Sequence, residues 1–237
     1  MKKVFVKTKN VKQLISMMNR LKEREDGVPG MGLIYGEPGL GKTYAITWWA
    51  TQNDAILIRS ANLIEEMVEE LGEIPYNKFS DIFNQVVAQL IKTPRTIIVD
   101  ETDYLTIDSR AVETLRDIHD KTNVPIVLVG MGTANKRLQR HKHLYDRLLE
   151  IIKFEPFSKQ DITSIIDQLS EVPFTDCAKK LLYTCTNRFR QLVKTISKAE
   201  QVAKSNGIKE IDEITLKEVL KNDDTDAEEI ELTNKNS

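Results

Sequence analysis

The sequence predicts an α/β fold, a parallel sheet between layers of helices, followed by a smaller all-helical domain. Three observations predict it. Short apolar runs alternate with helix-patterned segments as far as about residue 153. A glycine-rich turn joins the first of those runs directly to a helix. After Ile152 the strand-like runs stop and only helical periodicity continues. Strands separated by helices cannot be joined as hairpins, so they pair in parallel and need helical cover on both faces.

Taken in order, Val11, Leu14, Ile15, Met18 and Leu21 recur at helical spacing, and Gly27-Val28-Pro29-Gly30 ends that helix. Met31 to Tyr35 is a first strand, and Lys42 to Thr51 a helix. Ala55–Arg59, Thr96–Val99 and Pro125–Val129 read as buried strands. Asn62–Gly72, Asp81–Lys92 and Arg110–Lys121 read as the helices between them. Ser158 ahead of Lys159-Gln160-Asp161 supplies an N-cap for the first helix of the second domain. The expected division is 1–153 for the α/β domain, 154–221 for the helical domain and 222–237 for a tail. Trp48 and Trp49 fall on one helix, so at least one of them is expected in the core.

The 237 residues are 41% hydrophobic and 30% charged, ordinary for a globular protein with a real core. No apolar run is long enough to span a bilayer, and the basic start Met1-Lys2-Lys3 lacks the apolar stretch of a signal peptide. Cys177 and Cys185 lie eight apart with no zinc-ligand pattern, which suits a reducing cytoplasm. The net charge of −2 is unevenly spread: residues 222–237 hold six acids against Lys235. The remaining 221 residues therefore carry +3, which permits contact with nucleic acid. The acidic tail has no aromatic residue and is expected to be disordered.

Gly36-Glu37-Pro38-Gly39-Leu40-Gly41-Lys42-Thr43 matches G-x-x-x-x-G-K-[ST] at every defined position, between a strand and a helix. Glycines let the loop turn its N–H groups inward onto phosphate oxygens, and the helix N-terminus adds partial positive charge. Lys42 is expected on the outer phosphates of ATP and the Thr43 hydroxyl on Mg²⁺. Thr96-Ile97-Ile98-Val99-Asp100-Glu101 is an apolar strand ending in two acids, and Asp100 lies 58 positions after Lys42. Asp100 is expected to help hold the Mg²⁺, and Glu101 to polarise the attacking water as general base. Asp103 and Asp108 read as loop acids.

A phosphate-binding loop upstream of an apolar strand ending in Asp-Glu, with a helical domain after the α/β core, resembles the AAA+ ATPases. That resemblance implies an ATPase with a lid domain and several further roles. A polar sensor of the γ-phosphate follows the next core strand; Thr133 is the first choice and Asn135 the second. An arginine reaches the ATP of a neighbouring subunit, which Arg147 fits in a homo-oligomer, its plainer reading being a surface arginine. Asn187-Arg188-Phe189-Arg190 resembles the second sensor motif, with Arg190 favoured over Arg188.

The stretch from Met31 through the loop to Thr43, and Val127-Leu128-Val129-Gly130-Met131-Gly132, look like the transposition regulators of the phage Mu B and TnsC-like type. This implies ATP-dependent oligomers on double-stranded DNA that deliver target DNA to a transposase. Lys136, Arg137, Arg140 and Lys142, with His141 and His143, form a basic cluster suited to phosphates rather than base edges. The same cations could instead be solvated or face a neighbouring subunit. The competing expectation is a loader of a replicative helicase or sliding clamp, acting through a protein partner.

Overall fold

The computed structural model describes residues 1–59, 63–105, 109–186 and 188–221. Two compact units result, one of Asn10–Glu155 and one that joins Met1–Lys9 to the chain from Pro156 onward.

In the first unit, strands β1 (Met31–Tyr35), β2 (Ile56–Arg59), β3 (Ile97–Asp100), β4 (Ile126–Gly130) and β5 (Leu148–Lys153) form one sheet among the described residues. Its order is β2-β3-β4-β1-β5, and every pairing is parallel. β1, the strand that leads into the glycine loop, pairs with β4 on one side and β5 on the other. β3 and β4 are buried along their whole length, which is why they read as continuous apolar runs rather than alternating ones. β5 is half-exposed in alternation, as an edge strand allows.

The connections are α1 (Lys9–Glu23), α2 (Lys42–Asn53), α3 (Leu63–Glu70), α4 (Phe79–Lys92), α5 (Thr102–Leu105), α6 (Ser109–Thr122), α7 (Ala134–Leu138) and α8 (Lys142–Tyr145). Met31, Leu33, Ile97, Val99, Ile126 and Leu128 share one core with Leu63, Met67, Val86, Leu90, Leu115, Leu138 and Leu144. α1 meets the sheet at Gly32, where Met17 and Leu21 approach so closely that a β-carbon would collide with them. Trp49 is buried on α2, and the Lys22 ammonium lies 4.6 Å from its ring centre.

The second unit holds α9 (Lys159–Leu169), α10 (Asp176–Cys185), α11 (Phe189–Ser205) and a helix at 213–221, α12. Ser158 and Asp161 close a reciprocal capping box at the start of α9. A core of Phe157, Ile162, Ile166, Leu182, Leu192, Ile196 and Leu216 joins the helices, with Phe157 edge-on to Phe189 at 6.1 Å. Only a single bridge, Phe174 to Ile211, interrupts the helical pattern among the described residues.

The sequence pattern groups residues 1–153 together; the first nine instead belong with the helical unit. Val6 enters that unit's core, the Lys2 N–H donates to the Leu169 carbonyl at 2.8 Å, and the Lys9 N–H donates to Asp161 at 2.9 Å. Pairing across some 150 residues leaves no trace in a local pattern. The tail at 222–237 lies outside the described residues.

Candidate functional site

The site is built where three parallel strands end on the same edge of the sheet: β1, β3 and β4. Between β1 and α2 the chain makes a tight turn with Gly39 at φ 84° and Gly41 at φ 82°. Both values lie in the left-handed region that side chains with a β-carbon rarely adopt. Gly41 thereby caps α2, so the helix begins at Lys42 with its N-terminus in the loop. Leu40 anchors the turn in the core, while Glu37 and Pro38 are exposed.

Lys42 folds its ammonium inside the loop, donating to the Gly36 carbonyl at 2.7 Å and the Glu37 carbonyl at 2.9 Å. Burial lowers its pKa from the ordinary lysine value, and the carboxylates of Asp100, Asp103 and Glu37 pull in the opposite direction. Thr43, one residue further, donates its hydroxyl to Asp100 Oδ2 at 2.8 Å. Asp100 is 5% exposed, at the end of β3, and its other oxygen accepts the Glu101 N–H at 2.9 Å. Two hard oxygen donors, a hydroxyl and a carboxylate, thus meet beside the loop, a donor set suited to Mg²⁺ shared with phosphate oxygens. Glu101 is exposed with φ 57°, a left-handed conformation unusual for a residue of its kind.

Asp103 is a residue that sequence reasoning undervalued. It lies on α5 rather than in a loop and is 5% exposed. Its carboxylate accepts the Met131 N–H and, at 3.4 Å, the Thr133 hydroxyl. Arg137 donates to its carbonyl at 3.1 Å. Asp103 therefore fastens the loop after β4 to α5, the helix after β3; the signal was its place two residues beyond Glu101, in D-E-x-D spacing. Thr102 adds a second tie by donating to the Val129 carbonyl at 3.1 Å. Thr133 itself is exposed at the start of α7, and Asn135 accepts a hydrogen bond from the Tyr145 hydroxyl at 3.3 Å. Asp108 lies outside the described residues.

Arg147 stands immediately before β5. Its guanidinium donates to Asp120 Oδ1 at 2.6 Å and, as a fork, to Oδ2, with a further bond to the His143 carbonyl at 2.6 Å. Hydrogen bonding to Arg147 holds the Asp120 carboxyl below the usual carboxylate range. Lys136, Arg137, Arg140 and Lys142 are all exposed on or between α7 and α8. Arg190 belongs to the helical unit, exposed in the first turn of α11, with Arg188 as that helix's N-cap; Asn187 lies outside the described residues.

A strand–glycine loop–helix carrying Lys42 and Thr43, with Asp100 at the neighbouring strand end, on a sheet ordered β2-β3-β4-β1-β5, defines a P-loop nucleotide-binding fold. Residues 24–138 match the family described as AAA domain. A "Potential ATP-binding protein" of Staphylococcus aureus is 24% identical, over 76% of this chain and 83% of that protein.

Among solved structures the fold is shared with the Aeropyrum pernix ORC1 protein in complex with DNA. The TM-score is 0.64 at 13% identity, over 90% of this chain and 64% of that one. It is shared too with domain III of the Thermotoga maritima replication initiation protein DnaA, at TM-score 0.64 and 20% identity, over 92% and 94%. Cdc6p from Pyrobaculum aerophilum gives TM-score 0.63 at 17% identity, over 89% and 65%. The chain thus spans about two thirds of the length of two of these three proteins. No helix among the described residues is long and apolar enough to cross a membrane.

Proposed function

We propose that this chain is an ATP-hydrolysing switch that assembles on double-stranded DNA and delivers that DNA to a transposase. The observation that carries the ATPase reading is the meeting of Thr43 and Asp100 at 2.8 Å beside the Lys42 loop, with Glu101 one residue on. In this reading residues Gly36 to Thr43 wrap the phosphates, and Lys42 places its charge on the outer ones. Thr43 and Asp100 hold Mg²⁺, whose role when bound is to neutralise charge on the phosphate oxygens. Glu101 orients a water and takes its proton at a carboxylate oxygen. Thr133, held by Asp103, hydrogen-bonds the outer phosphate, and Arg190 of the helical unit acts as the second sensor. Arg147 leaves Asp120 to reach the ATP of an adjacent copy, where a positive charge stabilises the transition state.

The DNA part of the reading rests on the exposed cations Lys136, Arg137, Arg140 and Lys142 in the same unit as the loop. They suit phosphates of any sequence, so affinity should fall steeply with salt. A second reading is a loader that brings a helicase or clamp to DNA through protein contact. It draws on a different feature, the exposed apolar connection between α3 and α4. The test is binding to long non-specific duplex with no nucleotide, ADP, or a slowly hydrolysed ATP analogue, followed by electron microscopy. Coating of the duplex with the analogue alone is the expected result; no binding under any condition sinks the DNA part of the proposal.

A further inference from the structure

The connection from α3 to α4, with the first residue of α4, exposes three large apolar side chains within six residues: Ile74 at 85%, Tyr76 at 60% and Phe79 at 60%. Single exposed apolar residues are ordinary, but a cluster marks a contact surface. The surrounding charge is one-sided. Residues 63–81 hold Glu65, Glu66, Glu69, Glu70, Glu73 and Asp81 against Lys78, a net of −5 in a body that is otherwise basic.

Beneath the connection lies an open cleft of about 440 Å³ lined by Glu73, Tyr76, Asp81, Asn84, Gln85 and Gln89, among others. Gln89 donates to Glu73 Oε1 at 2.7 Å and so keeps that carboxylate at the cleft wall. Gln85 donates its amide N–H to the Ile74 carbonyl at 3.0 Å, tying the connection to α4, while its own Oε1 is buried without a partner. Carboxylates at the wall of the cleft favour a ligand rich in N–H donors.

We propose that this cleft and its apolar rim are a docking site for a short segment of a partner protein in which arginine or lysine alternates with aliphatic or aromatic residues. The cations would meet Glu73 and Asp81, and the apolar side chains Ile74, Tyr76 and Phe79. Nucleic acid fits poorly, because the carboxylates repel phosphate. A second copy of this chain fits less well than a distinct partner: its basic segment at 136–143 keeps the leucine Leu138, and the neighbouring Leu144, inside its own core. It therefore offers charge without the apolar complement the rim requires.

The test uses the full chain and a fluorescein-labelled 12-residue peptide of alternating arginine and leucine, with anisotropy as readout. Two control peptides carry glutamate for arginine or serine for leucine. Two variants are compared, Glu73→Gln with Asp81→Asn, and Ile74→Ser with Tyr76→Ser and Phe79→Ser, after circular dichroism and melting confirm their fold. Saturable binding is expected for the arginine–leucine peptide alone, weakened at least about tenfold in each variant. Equal binding by wild type and both variants overturns the proposal. So does a loss of self-association in the apolar variant by sedimentation, which would assign the patch to a second copy. Lys42→Ala leaves this binding unchanged, so failure of the ATPase reading and failure of the docking site are distinguishable.

Discussion

Glu101 offers a perturbation in which stability and activity separate. Its backbone sits at φ 57° and its side chain is exposed. Holding a residue with a β-carbon in the left-handed region costs about 1 kcal/mol. Glu101→Gly removes that strain, but glycine's extra freedom in the unfolded chain returns roughly 0.5–1 kcal/mol. The two nearly cancel, so Glu101→Gly should change unfolding free energy by less than about 1 kcal/mol. Glu101→Gln keeps shape and backbone and should be neutral in stability as well.

Hydrolysis behaves otherwise: loss of a general base costs about 10²–10⁴-fold, or roughly 3–5 kcal/mol of barrier. Both variants should therefore retain ATP binding and lose turnover to a similar degree. The assay is single-turnover phosphate release beside equilibrium binding of a fluorescent ATP analogue and urea unfolding. Turnover of Glu101→Gln within about threefold of wild type refutes the base assignment. Destabilisation of Glu101→Gly by more than about 2 kcal/mol refutes the strain argument.

Other predictions follow from single contacts. Lys42→Ala removes the charge at the centre of the loop and should abolish ATP binding in the same fluorescence assay, with folding unchanged. Asp103→Asn loses part of the anchoring of Met131 and Thr133, so kcat should fall while the KM for ATP holds; equal changes in both would make Asp103 merely structural. His119 is buried, accepting the Gly30 N–H at 3.3 Å while its other nitrogen contacts the Val124 carbonyl at 2.9 Å. Burial lowers its pKa, so the folded state resists protonation and the unfolded state accepts it first. The stability it contributes is complete above the ordinary histidine pKa of about 6.5 and is lost as pH falls through the depressed folded value. Melting temperature should drop between pH 7.5 and 5, and His119→Gln should flatten that slope.

What the sequence made legible follows from where the determining interactions lie. The loop from Gly36 to Thr43 was readable because its chemistry is contiguous: turn, charge and hydroxyl occupy eight residues beside the strand that feeds them. The strands β3 and β4 were readable because burial along their whole length makes their runs almost entirely apolar. Asp103 was not, since its importance comes from Met131 and Thr133, 28 and 30 residues away, brought near by the pairing of β3 with β4. The place of residues 1–9 was hidden for the same reason, as Val6 finds its core only after the helical unit has formed. Arg147 was singled out by its position before β5, but its fork to Asp120 depends on α6 packing beside α8, which no local pattern encodes.

The central claim is a switch in which one copy completes the site of the next, and the most direct measurement is phosphate release against protein concentration on long duplex DNA. The account predicts a rate rising faster than linearly, lost in Arg147→Ala. Mixing Arg147→Ala with Glu101→Gln should restore part of it, because one interface in the mixture then holds both an intact Arg147 and an intact Glu101. A rate strictly proportional to protein, with Arg147→Ala as active as wild type, would contradict it.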